Sequence, residues 1–135
     1  MNFDQEKEKD LTACEALIMK AVWNSEEDIS TVELQKNLKE GYGKEYALTT
    51  IRTFLTKLSD KGFIKNYRRG KNAFVHPLKS EEEYKEQQLK KQTDFWYSGR
   101  TSNLICAAFK SADHITKEDA DKIRGILDEW DKRSH

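Results

Sequence analysis

The side chains best suited to chemistry are hydroxyls and cations that recur at helical spacing near the middle of the chain. A helix predicted from about residue 47 to 61 has one apolar face for docking on a core, and its opposite face is polar. Leu48 belongs to the apolar face, whereas the polar face and its edges carry Thr49, Thr50, Arg52, Thr53, Thr56 and Lys57. Short hydroxyl side chains let a helix approach base edges closely, and an arginine reaches a guanine edge or a phosphate. This face favours DNA recognition, with an ordinary solvated face as the alternative.

A basic hairpin is predicted directly after this helix. Gly62 lies where the end of a helix needs a residue that tolerates positive φ. Two β-prone runs, residues 63–68 and 73–78, flank a turn-rich tetrad at 69–72. The cations at the tip are Arg68, Arg69 and Lys71. Cations around a flexible glycine are what a phosphate-contacting wing requires.

Charge is distributed unevenly along the chain. The segment from Lys44 to Lys79 has 9 Lys/Arg and 2 Asp/Glu, a net charge of +7. Because the whole chain has a formal net charge of zero, the remainder carries −7. This asymmetry predicts one basic surface on an otherwise acidic protein, a distribution typical of nucleic-acid binding.

The bulk properties fit a small helical protein of the cytoplasm. The 135 residues are 36% hydrophobic and 36% charged, which predicts thin cores and some apolar surface buried between subunits. No apolar run approaches the ~20 residues of a membrane span, and the N-terminal MNFDQEKEKD has no signal-peptide core. Cys14 and Cys106 lie among apolar residues, so we expect buried, reduced thiols.

The order of elements predicts a mainly α fold with a small β-hairpin wing. Capping boxes at Thr12–Glu15 and Ser30–Glu33 begin the first two helices, with Ile29 as a hydrophobic staple. Three helices followed by a hairpin is the order of a winged helix-turn-helix. We expect this DNA-binding domain to cover residues 1–79 and an α-helical dimerisation domain to cover residues 80–135.

Residues 80–135 carry apolar stripes that short helices of one chain cannot bury alone. Two further capping boxes begin at Ser80 and Thr116, and Ser98-Gly99 breaks the first of these helices. The residues predicted to form the dimer interface are Phe95, Trp96, Leu104, Ile105, Phe109, Ile123, Ile126, Leu127 and Trp130. Packing against the N-terminal domain is the alternative. A two-fold dimer is favoured because it pairs two DNA readers across one palindrome.

The chain resembles the BlaI/MecI/CopY family of penicillinase-repressor-type winged-helix regulators. The resemblance covers roughly the first two-thirds of the chain. It is carried by Trp23, by the run Thr49-Thr50-Ile51-Arg52-Thr53 and by Lys61-Gly62-Phe63-Ile64, and it continues through Gly70 to Tyr84. It implies a cytoplasmic homodimer that represses transcription at inverted repeats, often with TACA/TGTA half-sites. It also implies groove contacts from Leu48, Thr49, Thr50, Arg52 and Thr53, and wing contacts from Arg69 and Lys71.

Two departures from the family pattern concern regulation. The copper-responsive branch has a C-terminal C-x-C…C-x-C cluster, which this chain lacks. The β-lactam-responsive members are cleaved at an Asn-Phe bond by a membrane sensor-protease. The equivalent bond here is Ala108–Phe109, with Asn103–Leu104 just before it. The missing asparagine argues against cleavage at that bond, although the lobe remains the segment expected to be regulated.

The sequence offers no motif for catalysis, a cofactor or a metal. It has no phosphate-binding G-x-x-x-x-G-K loop and no H-E-x-x-H, and His76, His114 and His135 are scattered. His76 is expected at the surface of the wing. Two alternatives to the repressor remain: a winged-helix module that binds an acidic protein, and a metal- or thiol-responsive regulator that uses Cys14 and Cys106.

Overall fold

The computed structural model describes residues 10–134, which form six helices and a three-stranded antiparallel sheet. In chain order the elements are α1 (Ala13–Asn24), β1 (Ile29–Ser30), α2 (Thr31–Tyr42), α3 (Leu48–Asp60), β2 (Ile64–Arg69), β3 (Asn72–Pro77), α4 (Glu81–Trp96), α5 (Thr101–Ser111) and α6 (Lys117–Ser134). The predicted mainly α fold with a winged helix-turn-helix is confirmed. The N-terminal residues used to judge a signal peptide, apart from Asp10, lie outside the described residues, as does His135.

The chain divides into two compact units between Gln87 and Gln88. The first unit contains the winged helix and one continuous core. That core consists of Ile18, Met19, Ala21, Val22, Ile29, Leu34, Leu38, Ile51, Leu55, Leu58, Phe63, Ile64 and Val75. Tyr84 of α4 also packs against it, with its ring centroid 5.4 Å from that of Phe63. The start of α4 is therefore grouped with the winged helix, and the functional boundary at 79/80 stays a prediction.

The four helices with a predicted capping box, α1, α2, α4 and α6, begin directly after the predicted capping residue. Thr12 and Glu15 form a complete capping box, because each side chain accepts the backbone N–H of the other. The Ser30 hydroxyl accepts the backbone N–H of Glu33 at 3.1 Å. Such bonds satisfy amides that have no partner in the first turn of a helix. The α2 helix ends at Gly43, whose φ of 67° closes the helix in the left-handed conformation.

The sheet differs from the predicted hairpin in two respects. Ile29 and Ser30 form a short third strand, which pairs with Val75 and Phe74 of β3, so the strand order is β1-β3-β2. The capping pattern predicts only a helix entry at these two residues, since two residues are too few to show a strand period. The wing turn is also shorter than the predicted tetrad. Arg69 pairs with Asn72 and leaves a two-residue turn at Gly70 and Lys71.

A buried ion pair joins the start of α1 to the end of α3. The ammonium of Lys61 donates to Glu15 Oε1 at 2.6 Å and to the carbonyl of Asp10 at 3.0 Å. Glu15 is 1% exposed. Burial by itself would raise the pKa of Glu15, but hydrogen bonds from Lys61 and Thr12 and the charge of Lys61 hold it below its ordinary value. This contact fixes α3 against α1.

The second unit has exposed apolar surface and little core. Among the residues described for it, only Thr93 is buried, and its hydroxyl donates to the carbonyl of Leu89. The break after α4 lies at Ser98 and Gly99, with φ of 54° and 70°. Thr116 and Asp119 form the capping box at the start of α6, as predicted.

No helix among the described residues combines the length and apolar character that a membrane span requires.

We expect Lys61→Ala to lower the free energy of unfolding by about 3 kcal/mol at pH 7, because it leaves the buried carboxylate of Glu15 without its cation. Pairing stabilises the fold above the ordinary carboxyl pKa and is lost as pH falls through the lowered pKa of Glu15. The deficit of the variant should therefore shrink as the pH is lowered below about 4.5. Urea unfolding across this pH range measures it.

Lys36→Ala in α2 is the control, since Lys36 is exposed and should change stability by no more than roughly 0.5 kcal/mol. Equal deficits for the two variants at pH 7 would contradict a stabilising role of the pair.

Candidate DNA-binding surface

The α3 helix presents its polar face to solvent because its apolar face is held in the core. Ile51, Leu55 and Leu58 are buried, and Phe54 is half-buried. The predicted contact residues Thr49, Thr50, Arg52, Thr53, Thr56 and Lys57 are all exposed. Leu48, the first residue of the helix, is half-buried. The structure thus brings the predicted groove-facing side chains together on one accessible surface.

Two threonine hydroxyls on this face donate to the helix itself. Thr53 Oγ1 donates to the carbonyl of Thr49, and Thr56 Oγ1 donates to that of Arg52, each at 3.0 Å. Their hydroxyl protons are therefore engaged, while their acceptor lone pairs and methyl groups remain available. A methyl group at this position suits contact with the thymine methyl in a major groove.

The N-terminus of α3 is electrostatically open to an anion. Ala47 is the N-cap and supplies no side-chain hydrogen bond, and the first turn contains no acidic residue. The first backbone bond within the helix runs from the N–H of Ile51 to the carbonyl of Ala47. The N–H groups of the preceding turn and the positive end of the helix dipole attract phosphate. Asp60, the exposed acidic residue of α3, lies at the opposite end.

The segment before α3 is tied to both neighbouring helices. The amide of Gln35 donates to the carbonyl of Tyr46 at 2.9 Å, and the Tyr46 hydroxyl donates to Cys14 Sγ at 3.5 Å. This bond to Cys14 raises the pKa of Tyr46. The Tyr46 ring packs edge-on against Phe54, and the ammonium of Lys57 lies 5.9 Å from the Phe54 centroid. The role of Gln35 has no signal in the sequence, because a single amide on a helix surface forms no pattern.

The three predicted wing cations are exposed, but they differ in their surroundings. Arg68 Nη2 donates to the carbonyl of Lys71 at 3.1 Å, which braces the turn. The guanidinium of Arg69 lies 5.5 Å from the centroid of Phe74, within the range of a cation–π contact. Gly70 has a φ of 64°, the conformation that the first position of this two-residue turn needs. The tip therefore presents cations on a defined backbone.

The wing is attached to the rest of the unit by side chains that the sequence analysis did not identify. The Asn66 amide donates to the carbonyl of Leu55 in α3 at 3.3 Å. The Tyr67 hydroxyl donates to Asp28 Oδ2 at 2.6 Å, and His76 Nδ1 lies 2.8 Å from Asp28 Oδ1. The bond from Tyr67 first, and that from His76 second, hold the pKa of Asp28 below its ordinary value. His76 is exposed, as expected.

The predicted dimer-interface residues are exposed or half-buried in the single chain. Phe95, Trp96 and Trp130 are each at least 60% exposed, and Ile126 and Leu127 are more than half exposed. The remaining members are Leu104, Ile105, Phe109 and Ile123. The candidate cleavage region, with Asn103 and Ala108, lies within α5, a continuous helix. These apolar faces are largely exposed in the single chain.

The expectation that both cysteines are buried is wrong. Cys14 is partly exposed beside Tyr46, and Cys106 is exposed on α5. Apolar neighbours in sequence suggested burial, but α5 has no buried residue in the single chain. Both thiols are free, and they belong to different compact units. Within residues 10–134 no group of three or more His, Cys, Asp or Glu side chains is arranged to hold a metal ion.

Several solved structures are similar to this chain, and the first of those below shares its fold. A complex of hsRosR-S4 matches with 17% identity and a TM-score of 0.50, over 96% of this chain and 97% of that one. RosR of H. salinarum grown from NaBr matches with 17% identity and a TM-score of 0.48, over 93% and 97%. The DNA-binding domain of the repressor BlaI matches with 26% identity and a TM-score of 0.48, over 56% and 89%.

A comparison with curated proteins found no significant match. The family model for the penicillinase repressor matches residues 11–129, which include both compact units almost entirely. The match extends well beyond the two-thirds of the chain in which the sequence resemblance was seen. With the winged helix and the exposed polar face of α3, it identifies the chain as a member of the penicillinase repressor family of transcriptional regulators.

Proposed function

We propose that this protein represses transcription by binding palindromic operator DNA as a homodimer. The observation that carries the proposal is the coincidence of the exposed polar face of α3 with the segment of net charge +7. In this proposal α3 enters the major groove and the wing contacts the DNA backbone. The bound dimer occludes a promoter, and repression ends when the dimer is weakened.

The face of α3 supplies groups for both kinds of DNA contact. Arg52 is exposed and long enough to reach a guanine edge, on which a guanidinium donates two hydrogen bonds. Thr49 and Thr50 stand at the helix N-terminus, where backbone N–H groups attract a phosphate. The methyl groups of Thr53 and Thr56 suit thymine. A helix with these groups on one face can recognise the base sequence, while its N-terminus fixes its position on the DNA backbone.

The wing supplies backbone contacts. Arg69 and Lys71 are exposed at the tip, and their charge suits phosphate or the narrow minor groove. Arg68 donates one hydrogen bond within the turn, and its guanidinium has further N–H groups that can contact DNA. Phosphate contacts raise the affinity for every DNA sequence. In this proposal the wing therefore increases affinity and sets the position of the protein on the DNA, whereas α3 determines which sequence is bound.

The second unit supplies the dimer contact in this proposal. Its described residues expose large apolar side chains on α4, α5 and α6. A two-fold dimer would bury them and pair two copies of α3 across one palindrome. Binding of the second half-site then becomes intramolecular, which raises affinity by about 10²-fold or more. Loss of the dimer removes this gain and releases the operator.

A membrane sensor-protease that cuts within residues 103–109 is one route to that loss. Ala108 replaces the asparagine of the family's cleavage bond, so the proposal does not depend on proteolysis. Any event that separates the two lobes has the same effect on the operator.

Selection of bound duplexes from a random pool tests the proposal. We expect enrichment of a two-fold-symmetric site that the protein prefers over scrambled DNA at physiological salt. Uniform binding that collapses with salt would reject sequence recognition. The basic surface would then fit an acidic protein partner, which is the competing function.

Arg52→Ala should reduce affinity for the selected site by about 1–3 kcal/mol and relax the preference at one base pair. The reason is that a bidentate arginine contact discriminates one base pair. Fluorescence anisotropy with single-base variants of the site measures both effects. Arg124→Ala on α6 is the control. A loss of equal size on every duplex would reassign Arg52 to a phosphate.

Lys71→Ala should leave the sequence preference unchanged and reduce the slope of log K against log salt by about one unit, because one released counterion is lost. Affinity titrations at several salt concentrations give this slope. Lys90→Ala, which removes an exposed lysine from α4, should leave the slope unchanged. A wild-type slope for Lys71→Ala would remove Lys71 from the contact surface.

Trp130→Asp should convert the dimer to a monomer and reduce affinity for the full palindrome by about 10²-fold, with little effect on an isolated half-site. The cause is a charge placed in the apolar stripe that two lobes would bury. Analytical ultracentrifugation and anisotropy measure the two effects. Lys132→Asp introduces a carboxylate on the opposite face of α6 and should preserve the dimer. A dimeric Trp130→Asp would move the interface elsewhere.

A further inference from the structure

The outer face of the wing sheet gathers residues that are distant in sequence. Val75 is fully buried, so its neighbours Phe74 and His76 point away from the core on the opposite face of β3. Tyr67 lies directly across from Phe74 in β2. Asp28 precedes Ile29, whose partner is Val75, and this register places the carboxylate beside His76.

Both oxygens of Asp28 are engaged by the wing. Oδ2 accepts the Tyr67 hydroxyl at 2.6 Å, and Oδ1 lies 2.8 Å from His76 Nδ1. Since a carboxylate only accepts, the second contact is a hydrogen bond when Nδ1 of His76 carries a proton. Asp28 thus bonds to one side chain from each wing strand, and it lies outside the wing itself.

A stack of side chains leads from Asp28 towards the tip. The Tyr67 ring stacks on Phe74 at 5.7 Å with an interplanar angle of 18°. The guanidinium of Arg69 lies 5.5 Å from the same Phe74 ring. Fixing the Tyr67 hydroxyl therefore also fixes the ring on which Arg69 rests.

We propose that Asp28 is a positioning residue for DNA binding: it holds the wing through Tyr67 and His76 and so presents Arg69 to the DNA. The inference rests on the proposed function. A two-stranded hairpin is marginally stable by itself, and side chains ordered before binding lose less entropy on binding. The anchor lowers the cost of ordering the wing on the operator.

Because Asp28 is negatively charged, its removal changes the affinity for DNA in opposite directions under the two possible roles. A carboxylate beside a phosphate-binding wing repels DNA, so its removal would raise affinity if charge were its only role. If Asp28 positions the wing, its removal lowers affinity instead. Glu27 provides the matched control, because it is an exposed carboxylate of the same loop and its side chain has no described contact with the wing.

The experiment measures affinity of the full chain for the selected duplex. Asp28→Ala and Tyr67→Phe should each reduce affinity by about fivefold to tenfold, within the range of a single lost contact. Asp28→Asn keeps a side-chain oxygen for the Tyr67 hydroxyl and should retain most of the affinity. Glu27→Ala, and Tyr42→Phe on α2, should cause no loss. Circular dichroism verifies that each variant is folded.

A double-mutant cycle with Arg69→Ala separates positioning from general destabilisation. In the Arg69→Ala background, Asp28→Ala should cost less than twofold, because the group it positions is gone. Additive losses, a gain of affinity for Asp28→Ala, or an Arg69→Ala variant that binds like the wild type would each overturn the inference. If the wild-type protein shows no preference among DNA sequences, the proposed function itself is overturned. That result is obtained before any variant is compared, so the two failures can be told apart.

Discussion

The contact between Glu15 and Lys61 is the constraint on which the DNA-binding surface depends. It joins the first turn of α1 to the C-terminus of α3. Glu15 is almost fully buried, and no hydrogen bond to its Oε2 is described, so the carboxylate is costly to bury. The ammonium of Lys61 stabilises this carboxylate, so any arrangement that separates the two partners is penalised. The orientation of α3 follows from this penalty.

The exposed face of α3 follows from that orientation and from helical periodicity. Because Ile51, Leu55 and Leu58 are buried, the threonines and Arg52 on the opposite face of the helix point to solvent. The wing is built differently. Its strands form few core contacts beyond Ile64 and Val75, and contacts to other elements hold it in place. Packing and the Glu15–Lys61 pair together position α3, whereas polar contacts position the wing. A fixed recognition helix beside a more adaptable contact to the DNA backbone follows from this difference.

Local signals in the sequence were enough to predict the N-terminal boundaries of α1, α2, α4 and α6 and the polar face of α3. Capping residues and a 3.6-residue period act within one turn, so they can be read without the fold. The short β1 strand and the anchoring of the wing could not be predicted in this way. Asp28 meets Tyr67 and His76 across separations of 39 and 48 residues. Cys106 is likewise exposed because α5 has no buried residue in the single chain, and its apolar neighbours in sequence do not reveal this.

The central claim is that two copies of α3 read one palindrome while each wing contacts the flanking backbone. Hydroxyl-radical footprinting of the wild-type protein on the selected duplex tests it most directly. The account predicts two protected regions related by two-fold symmetry, with centres about one helical turn or a multiple of it apart. It also predicts weaker protection beside each of them from the wings. A single protected region, or protection without symmetry, would contradict the dimeric reader.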